Sequence, residues 1–326
     1  QATTGFAPHV YASGPLLMDV LISGSLAYDR IMDFPGRFSD HIMADKLDTI
    51  NVSFTVNSLT EKFGGTAGNI AYSLSLLEEK PRILAAIGHD YHQYFQWLER
   101  CGVSTKDIRI IPEELTASAY ITTDSAGNQI TGFNPGAMKY PSCFDFGRLG
   151  PSQSIGIVAP GNLQDMADYS RVYQERGIFA IFDPGQSLPA WSGDDLALVI
   201  GRCKMLVSND YELAMITDKT GSSVGQLLGM VDTIVTTKGE QGTEVVTRDK
   251  ATAVPAIPTE KVLDPTGAGD AFRGGLIKGI IQGDPVQRCV EMGTVCAHYA
   301  IQSYGTQEYS LTLEEFQATL ERHFGS

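Results

Sequence analysis

The chain lacks any uninterrupted apolar run of about 18 residues, the length a membrane-spanning helix needs, so no such span is expected. Basic side chains are scarce: 24 Lys and Arg stand against 38 Asp and Glu, a formal net charge of −14. Nucleic-acid surfaces neutralise phosphates with clustered Lys and Arg, so no nucleic-acid partner is expected. Any phosphate bound here has to meet backbone amides and a metal ion instead. The five cysteines (Cys101, Cys143, Cys203, Cys289 and Cys296) form no CxxC pair, and no His stands at zinc-ligand spacing. That argues against a disulfide framework or structural zinc and for buried thiols in a reducing, cytoplasmic compartment. A GxxxxGK(S/T) loop is missing, as is a GxGxxG turn after the first strand, which disfavours a P-loop enzyme and a dinucleotide dehydrogenase. Residues 1–17 lack a basic region and a continuous apolar stretch, so no signal peptide is expected there. They are expected to be a leader or expression-derived segment ahead of a native start at Met18. No internal repeat or low-complexity segment occurs.

What is present is the composition of a soluble globular protein, 43% hydrophobic and 19% charged over 326 residues, enough for a sizeable core. Val20, Leu21 and Ile22 run into Ser23-Gly24-Ser25 as a buried strand ending in a tight turn. Short apolar runs recur at 82–87, 154–159, 178–182, 205–207 and 233–236. Most lead into helical spacing, such as Leu163, Met166, Tyr169, Val172 and Tyr173. Strand, turn and helix in repetition predict an α/β fold with a doubly wound, mostly parallel sheet flanked by helices. Ligands of such sheets collect outside the carboxyl ends of the strands.

Two stretches break the rhythm. Residues 50–59 alternate polar and apolar side chains (Val52, Phe54, Val56), and 119–123 with 129–133 flank Ser125-Ala126-Gly127-Asn128 as a hairpin. These predict a small antiparallel β lid with one wet face. The expected division is a large α/β domain of 18–28, 64–114 and 139–326 and a small lid domain of 29–63 and 115–138.

Two segments carry candidate chemistry. In Asp264-Pro265-Thr266-Gly267-Ala268-Gly269-Asp270, a Pro and small residues precede a helix continuing through Leu276, Ile277, Ile280 and Ile281. Free backbone amides and the positive helix end converge there as an anion cradle. Asp270, in the first turn, is either a dipole-stabilising carboxylate or a base beside bound phosphate. In Gly64-Gly65-Thr66-Ala67-Gly68-Asn69, close glycines let a ligand approach the backbone and Asn69 offers both a donor and an acceptor. A helix cap with close strand packing is the other reading of that segment.

Both segments resemble, in order and in their separation of about 200 residues, the two signatures of the ribokinase-like (pfkB) carbohydrate and nucleoside kinases. Gly24-Ser25-Leu26-Ala27-Tyr28-Asp29, Phe34-Pro35-Gly36-Arg37-Phe38-Ser39, Asn134-Pro135-Gly136-Ala137-Met138, Asn209-Asp210-Tyr211-Glu212 and Gly305-Thr306-Gln307-Glu308 further resemble bacterial adenosine kinases. The resemblance implies ATP-dependent transfer of the γ-phosphate to a nucleoside hydroxyl, foremost the adenosine 5′-OH. Asp270 would orient the hydroxyl as base, and Gly267, Ala268 and Gly269 would supply amides for the charge on the transferred phosphoryl. Asn209 and Glu212 would organise Mg²⁺ through water and phosphate. Thr237, Gly239 and Gly242 would form the nucleotide-binding turn, with His298 bordering the ATP adenine. Lys238 replaces an apolar residue common there and is assigned no catalytic part.

For the acceptor, the resemblance implies Asp29, Gly65 and Asn69 at the ribose and Ser53, Phe133 and Gln186 lining the nucleoside pocket. Tyr120 is a candidate for stacking on a base. Gln186-Ser187 departs from the two glutamines usual in adenosine kinases. Asp264 and Thr266, with residues 300–305, resemble a monovalent-cation loop that would take K⁺; a carboxylate capping the turn is the alternative. A homodimer through the lid is the expected assembly. On the same scaffold the alternatives are a ribose- or fructose-type sugar kinase and an inosine or guanosine kinase. From another class, the alternative is a catalytically silent nucleoside-binding sensor.

Overall fold

The computed structural model describes residues 18–42, 48, 51–149 and 154–325; the expected leader and Ile50 lie outside them. β1 (Asp19–Ser23) is apolar on both sides because helices cover both faces, so Val20, Leu21 and Ile22 alike are buried. β2 (Ala27–Asp33) leaves the main sheet immediately, and β3 (Ser58–Gly64) returns to α1 (Thr66–Leu76). The apolar run at 82–87 divides at Ala85 into β4 (Arg82–Leu84) and β5 (Ala86–Gly88). After α2 (His92–Arg100), β6 (Arg109–Ile111) pairs with β5 as a separate two-stranded sheet. β7 (Ala117–Thr123) and β8 (Gln129–Asn134) form the predicted hairpin.

The rest of the chain builds the large layer. β9 (Ser154–Val158), α3 (Leu163–Arg176), β10 (Phe179–Phe182), α4 (Gly193–Ile200), β11 (Met205–Asn209), α5 (Asp210–Thr220), α6 (Val224–Leu227) and β12 (Thr233–Thr237) alternate as read. β13 (Thr243–Thr247) and β14 (Ala251–Val254) follow, then α7 (Ala268–Gln282), α8 (Val286–Ala300) and α9 (Leu313–Phe324). The eight-stranded sheet runs β14-β13-β12-β11-β10-β9-β1-β4, parallel except for the antiparallel pairs made by β13. Ile70, Leu74, Leu276 and Ile277 pack on one face with Ile22 and Ile157. Tyr173, Leu196 and Val199 pack on the other with Leu21 and Phe182. The strand order reverses between β1 and β9, which opens a crevice at their carboxyl ends.

The small sheet, β3-β2-β7-β8, departs from expectation twice. It is mixed rather than antiparallel, because β2 and β7 run parallel in register Ala27↔Ala117 to Asp33↔Thr123. Residues 51–56 form no strand, and the ladder begins at Ser58. Their alternation is real in burial, since Val52, Phe54 and Val56 are half-buried between exposed neighbours. What orders it is ring packing: Phe54 lies 4.7 Å from Phe34 and 5.3 Å from Phe38, centroid to centroid. Among the described residues no helix is long and apolar enough to cross a membrane.

Candidate active site

The turn before α7 holds Gly267 at φ 78°, a left-handed conformation open to glycine without steric cost. Ala268 N donates to Pro265 O at 3.2 Å and closes the turn. Among the described residues no backbone acceptor meets the amides of Gly267 and Gly269, which lie at the positive end of α7.

Asp270 sits in the first turn of α7, where its Oδ2 accepts from Asn69 Nδ2 at 2.8 Å. One hydrogen bond thus joins the two glycine-rich segments across 201 residues of sequence. Burial pushes the Asp270 carboxyl up to about 6; Arg273's charge and Asn69's hydrogen bond hold it down, while Asp183 and Glu212 add to the rise. At that value roughly 90% of the groups are ionised at pH 7. Arg273 is itself 6% exposed, pairs through Nε with Asp183 Oδ2, and donates from a terminal nitrogen to Gly269 O at 2.8 Å. Asp183, just past β10, keeps Oδ1 buried with no hydrogen-bond partner among the described residues.

Asn209 and Glu212 form a capping box at the start of α5: Asn209 Oδ1 accepts from Glu212 N at 2.7 Å, and Glu212 Oε2 accepts from Asn209 N at 2.8 Å. The cap is therefore present, and it leaves Glu212 Oε1 available. Burial raises the Glu212 carboxyl above its ordinary value; the Asn209 amide and Arg273 oppose the rise and Asp183 adds to it. No group of three or more His, Cys, Asp or Glu gathers at metal-ligand distance among the described residues.

Asp29 lies on β2 with its carboxylate against Gly64, and burial, then the charge of Asp264, pushes it up to about 6. Gly65 precedes α1 and its carbonyl accepts from Asn69 N at 2.9 Å. Ser53, Phe133 and Gln186 are exposed, and none of the three is hydrogen-bonded to the Asn69–Asp270 pair among the described residues. Tyr120 is already engaged. Its OH accepts from Arg30 at 2.8 Å, and the Arg30 guanidinium lies 5.4 Å from its ring centre. Asp264 caps the loop, accepting from Thr266 N at 2.9 Å and Gly305 N at 3.0 Å; these bonds outweigh its burial and lower its pKa.

A cavity of about 200 Å³ lies beside the turn before α7. Thr237, Gly239 and Gly242 line one side and Ala268, Phe272 and His298 the other. His298 Nδ1 is 2.8 Å from Thr259 Oγ1, and burial, then His323, lowers its pKa and favours the neutral ring. Lys238 donates to Glu244 at 2.7 Å. Asp183, Arg30 and Gln307 were not assigned from sequence. Arg273 carried a signal, a basic side chain one helical turn after Asp270 and so on the same face.

Residues 27–313 match the pfkB family carbohydrate kinase model. The chain belongs to this family. Its fold is the ribokinase-like α/β fold. It is similar to the Burkholderia thailandensis nucleoside kinase solved in complex with inosine, at 38% identity, with 94% of this chain and 98% of that one covered and a TM-score of 0.83. The same kinase in complex with ADP-inosine aligns at 39% identity over 94% of this chain and 96% of that one, with a TM-score of 0.81. Among curated proteins, the Methanocaldococcus jannaschii nucleoside kinase is 28% identical over 284 residues, 86% of this chain and 92% of the relative. An ATP-dependent ribose-1-phosphate kinase from Halopiger xanaduensis is also 28% identical, covering 78% of this chain and 86% of the relative.

Proposed function

We propose that this pfkB-family protein is an ATP-dependent nucleoside kinase in which Asp270 is the general base. The observation that carries the reading is the Asn69–Asp270 hydrogen bond of 2.8 Å, with the carboxylate in the helix turn that also holds the unbonded amide of Gly269, a residue lining the cavity bordered by Thr237 and Gly239. Asp270 takes the proton from the acceptor hydroxyl as its oxygen bonds to the γ-phosphorus. The bond between that phosphorus and the β,γ-bridging oxygen breaks, and ADP leaves. Phosphoryl transfer needs positioning and electrostatic stabilisation more than covalent help. Gly267 and Gly269 offer amides to the phosphoryl oxygens, and the apolar cavity fits an adenine between the turn at Gly239 and Phe272. Glu212, through Oε1 and water, would hold Mg²⁺, which neutralises triphosphate charge. The orphaned Asp183 Oδ1 nearby supports a cation of that kind. K⁺ at the loop of Asp264 and Thr266 would steady the same amides; equal rates in K⁺ and in a bulky organic cation at matched ionic strength would remove that element.

Adenosine is the acceptor favoured by the segments shared with bacterial adenosine kinases. Inosine is the second reading, favoured by the inosine complex of the Burkholderia kinase at 38% identity. The small sheet would close over the acceptor as a lid formed by 29–63 and 115–138, excluding water during transfer. A homodimer through that sheet belongs to the same proposal. ADP release measured with adenosine, inosine, guanosine, ribose and fructose in the presence of ATP and Mg²⁺ tests the acceptor. Turnover of the nucleosides above the free sugars is expected. Faster turnover of ribose or fructose would overturn the nucleoside assignment, and no turnover of any would favour a silent binding protein.

A further inference from the structure

Gln307, in the segment before α9, is 1% exposed and lies between α1 and α2. Its Oε1 accepts from Trp97 Nε1 at 2.8 Å, and its Nε2 donates to Asn69 Oδ1 and to Tyr94 OH, both at 2.9 Å. An amide can be turned over with little change of shape, so its orientation has to be derived from its neighbours. Here two neighbours decide it. The indole N–H is a donor only, so the atom facing Trp97 has to be the oxygen of Gln307. Tyr94 OH donates to Gly64 O at 2.6 Å, so toward Gln307 it presents a lone pair, and the atom facing it has to be the nitrogen. With Gln307 fixed, Asn69 presents Oδ1 to it and Nδ2 to Asp270.

The geometry is held from both sides. Trp97 is stacked 5.4 Å from Phe63 at an interplanar angle of 8° and 5.8 Å from Tyr72 at 25°, so the indole cannot turn its N–H elsewhere without losing both contacts. Gly68 allows the approach: a Cβ there would stand 2.1 Å from Tyr94 OH and 2.9 Å from Gln307 Nε2.

We infer that Trp97 and Gln307 are positioning residues that fix the direction of a hydrogen-bond chain, Trp97 to Gln307 to Asn69 to Asp270, so that the base always faces an N–H and never a carbonyl oxygen. The inference rests on the reading of Asp270 as base. Its consequence is that Oδ2 always meets a donor, the pairing an ionised carboxylate accepts, which opposes the rise that burial imposes. Arg273 on the same helix, Asp183 after β10 and Glu212 on α5 also face Asp270, and none of them is changed by reversing the amides.

Gln307→Glu is the decisive variant because it keeps the shape and replaces the amide nitrogen by an acceptor. Asn69 then turns its Nδ2 to the introduced carboxylate and its Oδ1 to Asp270, a pairing that only a protonated Asp270 satisfies. The kinase with its preferred nucleoside should lose about tenfold or more in kcat at pH 7, the scale of removing a hydrogen bond to a charged group, with the KM for ATP held within about twofold. The acid limb of its kcat profile should move to higher pH. Trp97→Phe, which keeps the stack, should lose kcat in the same direction, and Trp97→His, with a ring N–H, should regain part of it. Asp270→Asn is assayed alongside. If it is as active as wild type, the base assignment fails. If it is inactive while Gln307→Glu keeps wild-type kcat and an unmoved acid limb in a folded protein of unchanged melting temperature, the positioning role is overturned and the base assignment stands.

Discussion

Lowering the pH from 7 to 5 should remove two protons' worth of activity from this kinase, not one. Asp29 and Asp270 are both pushed up to about 6, chiefly by burial, and the proposed function needs both ionised: Asp270 to take the hydroxyl proton, Asp29 to accept from a ribose hydroxyl. The profile of kcat/KM reports the free enzyme. With both groups near 6, the doubly ionised fraction is about 0.8 at pH 7 and about 0.01 at pH 5, so kcat/KM should fall roughly 100-fold. Two carboxylates at their ordinary values would cost only about 10% over the same range. The assay is ADP release at saturating MgATP and subsaturating nucleoside, repeated for Asp29→Asn, whose limb should drop to one proton and about tenfold. Stability has the opposite sign. A carboxyl raised in the folded state stabilises fully below its unfolded pKa and loses that contribution as pH rises through its folded value. Between pH 7 and 5 these two groups therefore make the protein more resistant to denaturant while it becomes less active. A kcat/KM that changes less than about twofold between pH 7 and 5 would refute the reasoning, since neither carboxyl would then be both perturbed and required.

The sequence made legible what is encoded locally. β1, β9 and β12 are short apolar runs ended by turn residues, and the hairpin of β7 and β8 is announced by the Gly127-Asn128 turn between alternating strands. Both glycine-rich segments lie at helix starts, as their composition required. What stayed hidden depends on partners far along the chain. The parallel pairing of β2 with β7 joins strands about 90 residues apart, and nothing in either strand distinguishes a parallel neighbour from an antiparallel one. The split at Ala85 follows from β5 finding β6, not from any break in the apolar run. Gln307 resembled family members by its motif, yet its contact with Asn69 spans 238 residues and a buried amide has no periodicity to betray it. Tyr120 shows the same limit: an aromatic on a strand was visible, and the Arg30 that occupies it was not.

Three further outcomes are expected. Asp270→Asn should lower kcat on the order of 10² to 10⁴ with ATP affinity nearly intact, and should raise the melting temperature at pH 7 because a buried charge is gone; retention of more than about a third of kcat would overturn its role. Arg273→Met should destabilise the fold by about 3 to 5 kcal/mol in urea titrations, since it strands Asp183, which is 2% exposed; the double variant Arg273→Met with Asp183→Leu should recover much of the loss. No recovery would mean that the pair is not the source of the cost. Removing the ribose 2′-hydroxyl of the acceptor should cost at least about tenfold in kcat/KM, because Asp29, half-buried against Gly64, would keep its desolvation and lose a donor. A strand-end turn residue would discriminate by neither hydroxyl, so the ratio of adenosine to 2′-deoxyadenosine has to be compared in wild type and in Asp29→Ala. The preference should shrink in the variant, and an identical ratio in the two proteins would show that Asp29 does not read the diol, so that the acceptor-site assignment has to be rebuilt.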